Sequence, residues 1–162
     1  MAIDVQKLAK EILESNQYMT IGSAGKNGTA WVSPVVYAYD NDLNLYFVSH
    51  IRSKHCVNIG QNKSVAVAIF DSHQLIGDGV GLQIEGTAKR VTLLEIPEVS
   101  LTYFKRTYPY ARATKSFNTG LKKLLNENTY RLYKIAPSKI WMNDPNSIID
   151  ERIEINKEYL RP

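Results

Sequence analysis

The stretch SHIRSKHCVNIGQN, residues 49–62, sets Arg52, Ser53 and Lys54 side by side between two apolar runs. From Leu43 through Phe70 there is no Asp or Glu to balance them. Cations, hydroxyls and the free N–H groups of a starting helix suit an anion such as a phosphate, because helix terminus and side chains favour the same charge. Ser49 closes the preceding strand, Ser53 is placed to cap a helix, and Lys54 falls in its first turn. A cation there opposes the helix dipole unless an anion is near. A solvated basic surface loop would carry the same residues, and spacing alone does not choose between the two.

Other chemistries find less support. His50, His55 and His73 include no i,i+4 pair, so no metal site is expected, and each reads as a surface or partly packed imidazole. No G-x-S-x-G elbow holds a serine nucleophile. Cys56 beside Val57 reads as a small buried hydrophobe; as the single cysteine it excludes an internal disulfide, which fits a reducing cytoplasm. The glycines of IGDGVG lead into a strand and not a helix, so they read as a loop or bulge instead of a dinucleotide fingerprint. YFKRTYPYAR interleaves aromatic and basic residues as single-strand nucleic-acid binders do. At a net charge of +4 it reads instead as core contacts under a solvated cationic face, and no nucleic-acid partner is expected. No apolar run approaches the ~18 to 20 residues of a membrane span, and the scattered charges of MAIDVQKLAKEILESNQ do not form a secretory signal. A cytoplasmic protein with no membrane partner is the expectation.

The elements that must position the basic turn follow from periodicity. Val5, Leu8, Ala9, Ile12 and Leu13 recur at three and four, giving an amphipathic helix over 4–16 with Asp4 as its cap. Two strand-like runs flank GKNG, where Asn27-Gly28 supplies a tight hairpin turn. DNDLN then leads to LYFVS, completing a three-strand meander. SVAVAIF and GDGVGLQIEGTAKRV are further strands; Pro97 makes the helix of 93–107 start late or bend. PYARATKSFNTGLKKLL holds a short helix, TYRLYKIAPSKIWMND is the last core strand, and RIEI hints at one more. About six strands with two or three helices make an α+β, mainly β fold with an antiparallel sheet or barrel. At 162 residues this is one domain: a helix over 1–16, a barrel core over 18–144 and a tail over 145–162.

The block IGSAGKNGTAWVSPVVYAYDNDLNLYFVSHIRSKHCVNIGQNKSVAVAIFDS, followed by LQIEGTAKRV, resembles the pyridoxamine-phosphate-oxidase-like, FMN-binding split-barrel superfamily. The likeness covers most of residues 18–91 and lies in the order of motifs: a hairpin, SPV, LYFVS, the basic RSK entry to a helix, and a strand with Gly before a small residue. Beyond Val91, YFKRTYPYARA and YRLYKIAPSKIWMND are similar to a bacterial subgroup of small members. The resemblance implies a six-stranded antiparallel split β-barrel with an N-terminal helix and two or three covering helices. It implies FMN as cofactor, a flavin-dependent oxidoreductase acting on a small molecule, and a homodimer whose two chains complete each site. Arg52, Ser53 and Lys54 would hold the FMN phosphate, and the backbone of Val48 and Ser49 would border the ribityl chain and ring. Ser33, Pro34 and Val35 would line the flavin from the facing strand, and Gln83 would point toward it. Trp141 is a candidate to cover it, from the same or the other subunit, with an ordinary core tryptophan as the alternative; for Trp31 the core is the expectation. Val32 stands where the true oxidases place an arginine, and their C-terminal tryptophan-to-arginine segment is not recognisable, which argues against pyridoxamine-phosphate oxidation itself. The competing reading is a non-catalytic flavin, deazaflavin or haem (tetrapyrrole) binder of the same fold. No catalytic acid or base is assigned.

Overall fold

Helix α1 (Val5–Ser15) starts where the sequence places it: the Asp4 carboxylate accepts from the Gln6 and Lys7 N–H groups at 3.1 Å. The computed structural model describes residues 2–106 and 129–161. Strands β1 (Tyr18–Ala24) and β2 (Ala30–Val36) form the expected antiparallel hairpin, and Gly28 takes the left-handed φ of 76° that its turn requires. After a break at Tyr37 the same extended segment continues as β3 (Ala38–Tyr39), which pairs with β4 (Leu45–His50). Their turn is organised by Asp40, whose carboxylate accepts from Asp42 N and Asn44 N at 2.9 Å and from the Tyr46 hydroxyl at 2.6 Å. Helix α2 (Lys54–Gln61), β5 (Ser64–Phe70), β6 (Gly81–Arg90), α3 (Ile96–Lys105), β7 (Tyr130–Asn143), β8 (Arg152–Glu154) and a final 3₁₀ turn over Lys157–Leu160 complete the described chain. The short helix read in PYARATKSFNTGLKKLL lies outside the described residues.

One antiparallel sheet runs in the order β2-β1-β5-β6-β7-β4-β3, with β8 on the end of β7. This corrects the simple meander: β4 pairs with β7 on one side and, through Leu45 and Tyr46 only, with β3 on the other. Because β2 and β3 are successive halves of one segment yet end the strand order at opposite sides, the sheet must curl until its two edges meet. The result is a half-barrel split between β2 and the upper part of β4. The six long strands are those read from the sequence; β3 and the RIEI strand β8 bring the total to eight among the described residues.

Curling is helped by a bulge between Glu85 and Gly86, where β6 shifts register against β7. A Cβ at Gly86 would lie 2.7 Å from the Ala136 carbonyl oxygen, so only glycine lets the two backbones approach this closely. The bulge belongs here and not in IGDGVG, which forms a turn over 71–80, with Gly77 at φ 98°, before β6 begins at Gly81. Helix α3 starts late, as Pro97 demands, with the proline in its first turn.

Inward residues of all the long strands join the apolar stripe of α1 and the Cys56 and Ile59 face of α2 in the main core. Tyr37, Phe47, Ile21, Ile69, Ile135 and Met142 are fully buried, each such side chain contributing about 1.5–3 kcal/mol by leaving water. A second cluster, Tyr46, Val91, Val99 and Leu132, seats α3 on the outer face of β4 and β7. Arg106, just past α3, ties this layer to the first helix: it donates to the carbonyls of Tyr37, of Leu13 at 3.3 Å and of Asn16 at 2.7 Å, and lies 4.2 Å over the Tyr37 ring. Those contacts satisfy carbonyls that the end of α1 leaves open. The outer face of β1, β2 and β5 has no such cover among the described residues: Tyr18, Val32 and Phe70 are each more than half exposed there.

Candidate functional site

Strand β4 ends at the split, and the chain turns tightly into α2. Ser53 N and Ser53 Oγ both donate to the His50 carbonyl, at 2.9 and 2.8 Å, and Arg52 N donates to His50 Nδ1 at 3.1 Å. Ser53 is the N-cap residue, as its position in the sequence implies, but its hydroxyl makes no cap hydrogen bond. The first helical hydrogen bond is Val57 N to Ser53 O at 3.0 Å. The N–H groups of Lys54, His55 and Cys56 therefore have no partner among the described residues, as the geometry of a helix start dictates. Arg52 and Lys54 are exposed beside them and join none of the ion pairs among the described residues. The arrangement can bind an anion: three N–H dipoles and the positive end of a helix lie next in the chain to two cations that have no ion-pair partner among the described residues.

Beneath this turn lies a buried polar relay that sequence reasoning missed. His55, 7% exposed, is within 3.0 Å of Ser33 Oγ through Nδ1, and within 2.8 Å of Ser49 Oγ and 3.1 Å of Ser53 Oγ through Nε2. One tautomer gives every hydrogen of this cluster an acceptor. The single Ser53 hydrogen goes to the His50 carbonyl, and Ser33 accepts from Trp31 Nε1 at 2.9 Å, leaving its own hydrogen for His55 Nδ1. Nδ1 is then bare, Nε2–H is shared between Ser49 and Ser53, and Ser49 donates to Ser53 Oγ at 3.1 Å. A protonated ring would strand the Ser33 hydrogen, and burial pushes the His55 pKa down, so the neutral form is held. The reading of His55 as a surface or partly packed imidazole is thus corrected, because its ring closes the gap between β2 and β4 where no strand pairing does. The signal was present as three serines around one histidine, but Ser33 is far from it in sequence. Cys56 is buried, as read.

The residues singled out from the sequence fall into two groups. Ser33, Ser49 and Ser53 come together around His55, with Arg52 and Lys54 at the surface above. Pro34 projects outward on β2, whereas Val35 turns its side chain into the core and Val48 packs under α3, so only their backbones face the split. Among the described residues, β4 from Phe47 to His50 has no strand on its β2 side and β2 has none beyond β1, so both present backbone edges that no described strand pairs. Gln83 and Trp141 lie elsewhere, as a cross-strand pair on the outer face of β6 and β7. With Val32, Thr20, Gly22, Ala66, Ala68, Glu85 and Arg152 they line a concavity of about 410 Å³ with a flat, small-residue floor. Gln83 Nε2 donates to Asn143 Oδ1 at 3.0 Å. Trp141 is half-buried with Lys139 Nζ 5.4 Å from its ring. Neither tryptophan is in the core; Trp31 is 46% exposed, correcting the core reading. Among the described residues no group of three His, Cys, Asp or Glu side chains could hold a metal ion, and no helix is long and apolar enough to cross a membrane.

The sequence model of the pyridoxamine 5'-phosphate oxidase family matches residues 5–141, and the chain belongs to that family. No curated protein matches it. Among solved structures, a heme binding protein from Mycobacterium smegmatis superposes with a TM-score of 0.73 at 12% identity, covering 99% of this chain and 61% of its own. A heme storage protein from Vibrio cholerae gives 0.67 at 14% identity over 86% of this chain and 94% of its own, and an F420 reductase 0.58 at 17% over 81% and 94%. The chain thus spans about three fifths of the length of the mycobacterial protein. At these identities the likeness concerns the fold, a curled antiparallel half-barrel with helices.

Proposed function

We propose that this member of the pyridoxamine 5'-phosphate oxidase family binds FMN and acts as a flavin-dependent oxidoreductase on a small molecule. The observation that carries the reading is the turn between β4 and α2. Among the described residues, Arg52 and Lys54 have no carboxylate partner and the N–H groups of Lys54, His55 and Cys56 have no acceptor. A doubly ionised phosphate supplies the charge this turn lacks. Ser53 positions the turn and is not itself a donor, since both its N–H and its hydroxyl are engaged by His50.

The rest of the cofactor also finds complementary groups. The open backbone edges of β2 and β4, at Ser33–Val35 and Val48–Ser49, offer donors and acceptors to a polyol and to the polar edge of a flavin. Val32, Gln83 and Trp141, on the concavity of the outer face, would offer the ring apolar surface and one amide side chain. When bound, FMN would supply hydride or single-electron transfer. The protein would hold the phosphate, exclude water from one ring face and orient hydrogen bonds to it. The outer face bearing Tyr18, Val32 and Phe70 would be covered by a second copy of the chain, a pairing that would also shelter the open edges.

Titrating FMN into the protein while following tryptophan fluorescence and the visible flavin bands tests the reading. Saturable quenching by a ligand that remains bound through gel filtration is the expected result. A protein that is purified with a Soret band and takes up no flavin would favour the tetrapyrrole-binding alternative, and one that binds neither would reject both.

A further inference from the structure

We propose that His55 is a positioning residue that keeps the start of α2 uncapped, and so open to an anion, by holding the Ser53 hydroxyl in the wrong direction for capping. This rests on the phosphate reading of the turn given above and adds to it the device that keeps the turn receptive.

A serine at the N-cap ordinarily turns its oxygen onto the N–H of the second or third helical residue, here His55 or Cys56. Ser53 has the extended backbone such a cap uses, with φ −63° and ψ 147°, yet makes no cap bond. Its oxygen instead sits 3.1 Å from His55 Nε2 and 3.1 Å from Ser49 Oγ, with its hydrogen on the His50 carbonyl at 2.8 Å. Both groups that approach the Ser53 oxygen do so as donors: the one Nε2–H of His55 is shared between Ser49 Oγ at 2.8 Å and Ser53 Oγ at 3.1 Å, and Ser49 directs its own hydrogen to Ser53. Two donors on one side hold the lone pairs that a cap would have turned toward the helix. The imidazole is itself fixed from behind by Ser33, which Trp31 Nε1 orients from β2. The relay thus runs Trp31, Ser33, His55, Ser49 and Ser53, crossing the split from one edge to the other. Its outcome at the surface is a helix start that its own serine does not close.

Removing the relay should release Ser53 to cap its own helix, competing with any bound phosphate. In His55→Leu the Ser53 hydroxyl should rotate onto the Cys56 N–H. That amide should exchange with solvent about tenfold more slowly than in the parent, a readout that needs no ligand. The preference for FMN over riboflavin should fall by about tenfold, the size expected when a charge-assisted hydrogen bond is lost. His55→Gln, which returns a donor N–H at the Nε2 position, should restore the parent's values. So should adding Ser53→Ala to His55→Leu, since alanine cannot cap. Should His55→Leu not fold, the ring nitrogen shifts of the parent read the same relay: a bare Nδ1 and a protonated Nε2 are expected. A Nδ1–H tautomer, an unchanged Cys56 amide in His55→Leu, or a double variant no better than His55→Leu would overturn the proposal. Equal parent affinities for FMN and riboflavin would reject the phosphate reading instead, while the amide and tautomer measurements would still decide the role of His55.

Discussion

Gly86 and Gly22 both lie in strands of the barrel, and adding one methyl group to each should have opposite effects on stability. At Gly86 the new Cβ would sit 2.7 Å from the Ala136 carbonyl oxygen and 3.2 Å from Ile135 Cγ2, inside the bulge that curls β6 against β7. Neither neighbour can swing aside, since one is backbone and the other belongs to a fully buried isoleucine. Overpacking of this kind costs about 1–3 kcal/mol. At about 2–4 °C per kcal/mol for a domain of this size, Gly86→Ala should lower Tm by roughly 2 to 12 °C. At Gly22 the same methyl would meet only Ala66, at 3.6 and 3.7 Å, an ordinary contact. Gly22→Ala should be neutral or raise Tm by up to about 4 °C, because the unfolded chain loses freedom worth about 0.4–1 kcal/mol. Differential scanning calorimetry on the two variants and the parent measures both shifts. Equal Tm changes, or a Gly86→Ala variant as stable as the parent, would refute the close approach at the bulge and the curl drawn from it.

Arg106→Lys keeps the charge but loses the planar fork that reaches the carbonyls of Leu13, Asn16 and Tyr37, so its urea midpoint should fall by an amount worth about 1–3 kcal/mol. The Glu95 carboxyl is held down to about 2 by the Thr92 N–H and hydroxyl and by Lys89, against an ordinary value of 4.5. A depressed acid contributes stability above its unfolded pKa and loses it as pH falls toward the folded one. Glu95→Gln should therefore flatten the loss of stability between pH 4.5 and about 2, read from melting temperatures at each pH, and an unchanged slope would count against the contact. Light scattering at micromolar protein should give the mass of two chains, and Val32→Lys on the uncovered face should give that of one.

Much of this fold could be read because local rules and tertiary packing agree. The Asp4 cap, the Asn27-Gly28 hairpin and the delay imposed by Pro97 each depend on neighbours a few residues away, and each appears in the structure. The meander was misread because β2 and β3 are one extended run in sequence; only the break at Tyr37, whose hydroxyl donates to Leu13 O at 2.6 Å, sends the second half to another partner. The basic turn was legible as a run of charge without carboxylates. His55 was not, because its three hydroxyl partners come from β2, β4 and the turn, and a lone histidine carries no pattern of its own. Nor could sequence show that Val35 and Val48 turn away from the split: strand alternation assigns them faces only once the register is known.

The central claim is that the turn at Arg52, Ser53 and Lys54 holds the phosphate of FMN. Its most direct test is the affinity of FMN and of riboflavin for the parent and for Lys54→Ala, four titrations that yield one coupling energy. A charge-assisted contact is worth roughly 1.5–3 kcal/mol, so Lys54→Ala should weaken FMN about tenfold to a hundredfold. It should leave riboflavin, which has no phosphate, almost unchanged, and only the FMN affinity of the parent should decline steeply with salt. A coupling near zero, with both ligands weakened alike or neither affected, would contradict the claim and leave the turn a solvated basic loop.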